Sequence, residues 1–184
     1  MRFSFQRLLG SSLAVTLLCL GTGVRAAKDE QFLRIQTPDQ DLQVEISSGS
    51  IVGSKVQLVR DDDAIRGRAA GRSVFLRIVK EETELDGLAG SQPAWIASSR
   101  KKDGSLRLEG TFAGDSLHLT LGPKELSGTV GACTYDLELE DEAYTGTRVC
   151  EGERQRTWVF LTPTELPEQV SPMLMAALVV LLGA

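Results

Sequence analysis

Between Ala64 and Thr162 the chain returns five times to one phrase: an apolar residue, a glycine one or two places later, a turn, then an apolar run. Ala64-Ile65-Arg66-Gly67 leads through Gly71 to Val74-Phe75-Leu76, and Glu125-Leu126-Ser127-Gly128 leads through Gly131 to Tyr135-Asp136-Leu137. The leading glycines stand at 67, 87, 110, 128 and 146, so successive steps are 20, 23, 18 and 18 residues. Each step is the length of one β-hairpin. Inside the steps the residues alternate: Leu117, Leu119 and Leu121 share one face, while Ser116, His118 and Thr120 share the other. One face is therefore buried and the other wet.

Hairpin loops this short cannot carry a parallel crossover, so each strand pairs with its chain neighbour in an antiparallel meander. The all-β pattern starts before the repeat. Gln31–Gln36 and Leu42–Ile46 read as strands around the turn Thr37-Pro38-Asp39-Gln40, Ser47–Gly53 as a small-residue link, and Lys55–Arg60 as a further strand. About twelve strands result, and a sheet that long curls or closes to remove its edges. The expected fold is an up-and-down barrel or a strongly curved sheet, one β-rich domain over residues 27–184. A glycine in the register of Gly146, which faces Leu137, leaves room for large neighbours and permits a bend.

The tail obeys a different rule. Pro163, Pro167 and Pro172 cannot serve a central strand, and Ser171 with Pro172 makes an N-cap and a first helical turn. A helix over about 171–183 follows, and every residue from Met173 to Leu182 is apolar. Such a helix is buried on all sides, plugging the barrel or covering the sheet, or it meets a partner or a lipid surface. The twelve residues from Met173 to Ala184 at 1.5 Å each reach about 18 Å, too short for a ~30 Å bilayer core.

Met1–Ala26 reads as an export signal: Arg2 and Arg7, an apolar stretch Leu8–Leu20, and the small-residue exit Val24-Arg25-Ala26. Cleavage near Ala26 leaves 158 residues with 17 basic and 25 acidic side chains, a formal charge of −8. That sign repels phosphate backbones, so nucleic acid is not an expected partner. The location expected is extracytoplasmic, where Cys133 and Cys150 form a disulfide. A two-residue turn at Asp141-Glu142 sets a register that brings Cys133 opposite Cys150, Tyr135 opposite Arg148 and Leu137 opposite Gly146.

Catalytic chemistry finds little to work with. The single histidine, His118, lies on the polar face, and both mature cysteines are used. The run Asp61-Asp62-Asp63 diverges on a turn instead of converging on a cation, so no metal is expected, and no sequence motif calls for a cofactor. Acids such as Glu81, Glu82, Asp86, Glu138, Glu140, Asp141 and Glu142 leave a carboxylate-dependent hydrolase as the alternative. The favoured reading is a non-catalytic binding or interaction module, for a small apolar ligand inside the barrel or for a protein partner. An enzyme inhibitor acting through loops such as Asp61–Asp63 or Asp141-Glu142 is one form of the latter. Arg148 faces inward beside Tyr135, either in a cation–π contact or reaching to water at the strand end. Trp95 and Trp158 read as core, and a pocket lined by Tyr135, Arg148 and Trp158 is the candidate binding site.

Overall fold

The computed structural model describes residues 31–162 and 170–183. The expected export signal, Pro163 and Pro167 lie outside the described residues. Fourteen strands run in chain order: β1 Gln31–Gln36, β2 Asp41–Ile46, β3 Ser50–Gly53, β4 Val56–Asp61, β5 Ala64–Ala69, β6 Arg72–Val79 and β7 Glu84–Ala89. They continue as β8 Gln92–Arg100, β9 Leu106–Phe112, β10 Asp115–Leu121, β11 Glu125–Val130, β12 Cys133–Glu140, β13 Ala143–Cys150 and β14 Glu153–Thr162, before helix α1 Pro172–Leu182. Each strand pairs with its neighbour, and β1 pairs with β14 through Leu33↔Leu161 and Ile35↔Val159. The meander is thus a closed up-and-down barrel with no free edge.

The expected link Ser47–Gly53 is corrected: its second half is strand β3, paired with both β2 and β4. Only Ile51 of its four residues is buried, so small neighbours hid the alternation. Elsewhere the inward series is regular, as in Leu117, Leu119 and Leu121 of β10, which are each 1% exposed. The register read from the Asp141-Glu142 turn is the one observed, with Cys133↔Cys150, Tyr135↔Arg148 and Leu137↔Gly146.

Gly146 works by a closer contact than expected. A Cβ there would lie 2.3 Å from the Asp136 carbonyl oxygen, and one at Gly128 would lie 2.0 Å from that of His118. The neighbouring backbone, not a large side chain, takes the space. Both residues hold positive φ, 159° and 128°, which L side chains resist, so the glycines let adjacent strands coil tightly.

Strands about 4.8 Å apart give a fourteen-strand perimeter of roughly 67 Å, about 21 Å across before tilt widens it. Wall side chains just fill a barrel of about eight strands, so this lumen needs more material. Helix α1, about 10–12 Å in diameter with its side chains, supplies it. All eleven of its residues, Pro172 to Leu182, are buried. An all-apolar helix has no face to show water, and the lumen offers it none. Ser171 caps its start, accepting from the Leu174 amide at 3.1 Å, with Pro172 in the first turn. The helix enters beside Thr83 and Arg100, at what we term the lower mouth, and ends beside Ala70 and Gly131 at the upper mouth. No helix among the described residues is long and apolar enough to cross a membrane.

Candidate functional site

Three adjacent strands bring a polar row to the inner face just inside the upper mouth. Tyr135 of β12 pairs with Arg148 of β13, and Arg148 pairs with Gln155 of β14. One row nearer the rim stand Cys133, Cys150 and Glu153. The cysteines form a disulfide, closing a loop 17 residues apart in sequence. That cross-link pins the β12–β13 hairpin where the polar row must keep its register.

Each member of the row has a definite task. The Tyr135 hydroxyl donates to the Leu182 carbonyl, closing off one of the unpaired acceptors at the end of α1. Burial pushes the Tyr135 phenol above its ordinary pKa, and the nearby Arg148, through its charge and its donor groups, pulls it part of the way back. Arg148 is 6% exposed, so it does not reach out to water. Its Nη2 donates to Gln155 Oε1 at 3.2 Å, and Gln155 in turn donates to Asp39 at 3.1 Å. Arg148 Nε and Nη1 are buried without a hydrogen-bond partner. The cation–π contact with Tyr135, the other alternative, is absent from the ring contacts of the described residues, which join Arg34 to Phe160, Arg66 to Phe75 and Arg156 to Trp158.

Two cavities meet here. One, of about 480 Å³, is lined by Arg148, the disulfide, Gln155, Asp115, Glu151 and Glu153. The other, of about 280 Å³, is mostly apolar, with Val74, Phe112, Leu117, Val130, Val179 and Val180 in its walls. Asp115 and Gly183 border both. The pair of openings can therefore take a charged group beside an apolar one.

Trp158 does not belong to this site. It lies between the inward-facing Thr157 and Val159, on the outer wall beneath the guanidinium of Arg156, 5.0 Å away. The run Thr157-Trp158-Val159-Phe160-Leu161 is almost all apolar, so periodicity alone left its facing open. The turn at Glu151-Gly152 would have decided it, because that register sets Gln155 opposite Arg148. Trp95, also expected in the core, is 41% exposed on the outer wall. Asp115 and Gln155 are the site residues that sequence reasoning missed; each stands two places before an inward apolar residue or threonine, and that alternation was the available signal.

The remaining acids are arranged for solvent. Asp86 pairs with Arg77 and Glu82 with Arg60, each at 2.6 Å, while Glu140 accepts from Thr145 at 2.7 Å. His118 is on the outer wall, 3.8 Å from Glu109. Among the described residues no three His, Cys, Asp or Glu side chains gather as a metal site would require. No protein-family model matches the chain, and no curated protein or solved structure matches it either.

Proposed function

We propose that the chain is an exported, non-catalytic binding module that works at the upper mouth of a plugged barrel. The observation that carries this reading is the guanidinium of Arg148, buried with two unpaired nitrogens at the edge of an open cavity. A buried charge without an anion costs several kcal/mol, which a structure keeps where something else uses it. Helix α1 occupies the lumen, so a carrier enclosing an apolar ligand deep in the barrel has no space left. Export is supported by the Cys133–Cys150 disulfide, a bond that persists in oxidising compartments.

The test is a nuclear magnetic resonance titration of the exported protein labelled with nitrogen-15, following the arginine Nε–Hε signals. Small anions such as acetate and phosphate should move the Arg148 signal before any other. A panel of carboxylates and phosphates that leaves it unmoved at millimolar concentration defeats the reading. The hydrolase alternative makes an opposite demand, turnover that single replacements of paired carboxylates abolish.

A second reading, a protein-binding module, has one observation of its own. Val59, Arg66, Phe75, Leu88 and Pro93 form a continuous cross-strand row on the outer wall of β4 to β8. Phe75 and Leu88 are 39% and 48% exposed, with Arg66 stacked on the Phe75 ring at 5.2 Å. Replacing Leu88 by Lys should then weaken any partner captured by the exported protein while leaving the Arg148 titration intact.

A further inference from the structure

We infer that the upper mouth binds a free α-amino acid with an apolar side chain. This deepens the preceding reading and rests on it. Three features within one opening select that chemistry.

The first is Arg148. Its Nε and Nη1 are buried without acceptors on either side of Nη2, and each edge that a carboxylate can meet with both oxygens joins one of these nitrogens to Nη2, which has a second hydrogen beyond the one given to Gln155. Those nitrogens are shielded from solvent, so the guanidinium must swing a little outward, or Gly183 move aside, as the ligand enters. Nη2 is held only by the neutral Gln155, so no ion pair has to be broken for that motion.

The second feature is the sign of the rim. Asp115, Glu151 and Glu153 line the same cavity as Arg148. Asp115 takes part in no ion pair among the described residues. Three carboxylates around one guanidinium, with Arg72 lining the adjoining cavity, weaken the hold on a simple anion without abolishing it, whereas a ligand that carries an ammonium beside its carboxylate gains from both signs. The third feature is the apolar cavity of about 280 Å³ next door. Phe112, Leu117, Val130 and Val179 give it room for one branched or aromatic side chain, at the small end of the range of ligand sites. Asp115 borders both cavities, which sets the ligand's α-carbon at their junction, with the ammonium toward Asp115, the carboxylate toward Arg148 and the side chain inward.

Calorimetry on the exported protein with three probes tests this. L-Leucine carries all three groups, 4-methylpentanoate lacks the ammonium, and 3-methylbutylamine lacks the carboxylate. Leucine should bind, with each truncated probe weaker by about tenfold or more, as expected when one charged hydrogen-bonding partner is lost. Arg148→Met should abolish leucine binding and, by removing a buried unpaired charge, leave the melting temperature unchanged or raised. Asp115→Asn, at an exposed rim position that tolerates change, should weaken leucine about tenfold while leaving 4-methylpentanoate as it was. Leucine binding that survives Arg148→Met, or 4-methylpentanoate binding as tightly as leucine, overturns the inference. The Nε–Hε signal of Arg148 separates the two levels of the argument. If leucine leaves it unmoved while phosphate or 4-methylpentanoate shifts it, the amino-acid assignment falls and a binding mouth stands; if no probe shifts it, both fall.

Discussion

The two mouths of the barrel solve the same problem differently. An apolar helix brings unpaired amides to one mouth and unpaired carbonyls to the other. At the lower mouth the repair is local: Ser171 accepts from the Leu174 amide, and nearby charges are matched, Arg60 with Glu82, Lys80 with Glu84, Asp61 with Arg66. At the upper mouth the repair comes from the wall, where Tyr135 reaches the Leu182 carbonyl across 47 residues of chain. There Arg148 stands behind Tyr135 with two buried nitrogens unused. At the lower mouth the helix start and the nearby charges are paired, beside an opening of about 610 Å³ lined by Thr83, Ser98 and Ser171. At the upper mouth the buried guanidinium lacks partners although carboxylates line the same cavity, and a deficit held beside a cavity is what a ligand can fill.

The comparison assumes that α1 is the common plug, and the largest prediction attacks that assumption. Leu178, fully buried at the middle of the helix, replaced by Asp places a carboxylate where neither water nor a cation reaches it. Even when it takes up a proton, the acid replaces a packed leucine with an unpaired buried polar group, which costs a large part of the roughly 5–15 kcal/mol of a domain's stability, so the melting midpoint should collapse. A protein that melts as the parent does would mean that the barrel stands without its helix. Next in size is the double replacement Cys133→Ser with Cys150→Ser, which should cost about 3 kcal/mol for a loop of this length, read as a lowered denaturation midpoint. The loss should be local to the upper mouth, so hydrogen exchange should quicken in the β12–β13 hairpin before it does around Ser171.

Tyr135→Phe sharpens the contrast by removing the wall's contribution alone. The Leu182 carbonyl loses its donor while staying buried, a loss of about 1–2 kcal/mol in chemical denaturation. The variant also carries a signature in pH. Burial raises the folded pKa of Tyr135 above its ordinary value of 10.0. The stability tied to that neutral phenol is therefore complete below about pH 10 and is lost as pH climbs from there through the folded value. The Phe variant should shed less stability across that window. Tyr144, whose pKa burial also raises and whose hydroxyl donates to Gly122 at 2.8 Å, remains to give a residual slope. Equal alkaline losses in the two proteins would show that Tyr135 does not hold the helix end.

What the sequence disclosed follows from how local each cause was. Alternation in β10 and β12, with a two-residue turn between β12 and β13, determined facing, register and the Cys133–Cys150 bond without distant information. Ser171, Pro172 and the unbroken apolar run marked the helix for the same reason. Trp158 failed because both faces of β14 carry apolar residues there: Val159 points to the lumen, and Trp158 is covered by Arg156 on the wall. Strand β3 failed because four residues are too few to show a period. The site itself was half legible. Tyr135 and Arg148 came from one hairpin register, whereas their neighbours Asp115 and Gly183 arrive from β10 and the helix end, and only closure of the barrel around α1 brings them together.

The smallest effect is expected at the lower mouth. Ser171→Ala removes one side-chain acceptor from the first turn of α1, and such caps are worth about 1 kcal/mol. The Leu174 amide would then lie near the lower mouth with its bond unmade, and its hydrogen exchange should quicken more than that of amides in the middle of the helix. The melting temperature should fall by a few degrees, by the usual conversion for a protein of this size. Leucine titration at the upper mouth should be unaltered, because the helix remains anchored there by Tyr135. A Ser171→Ala protein that loses the Arg148 response as well would mean that the helix shifts as a rigid rod when its start is freed. The two mouths would then be coupled through α1, and the deficit at one end would depend on the cap at the other.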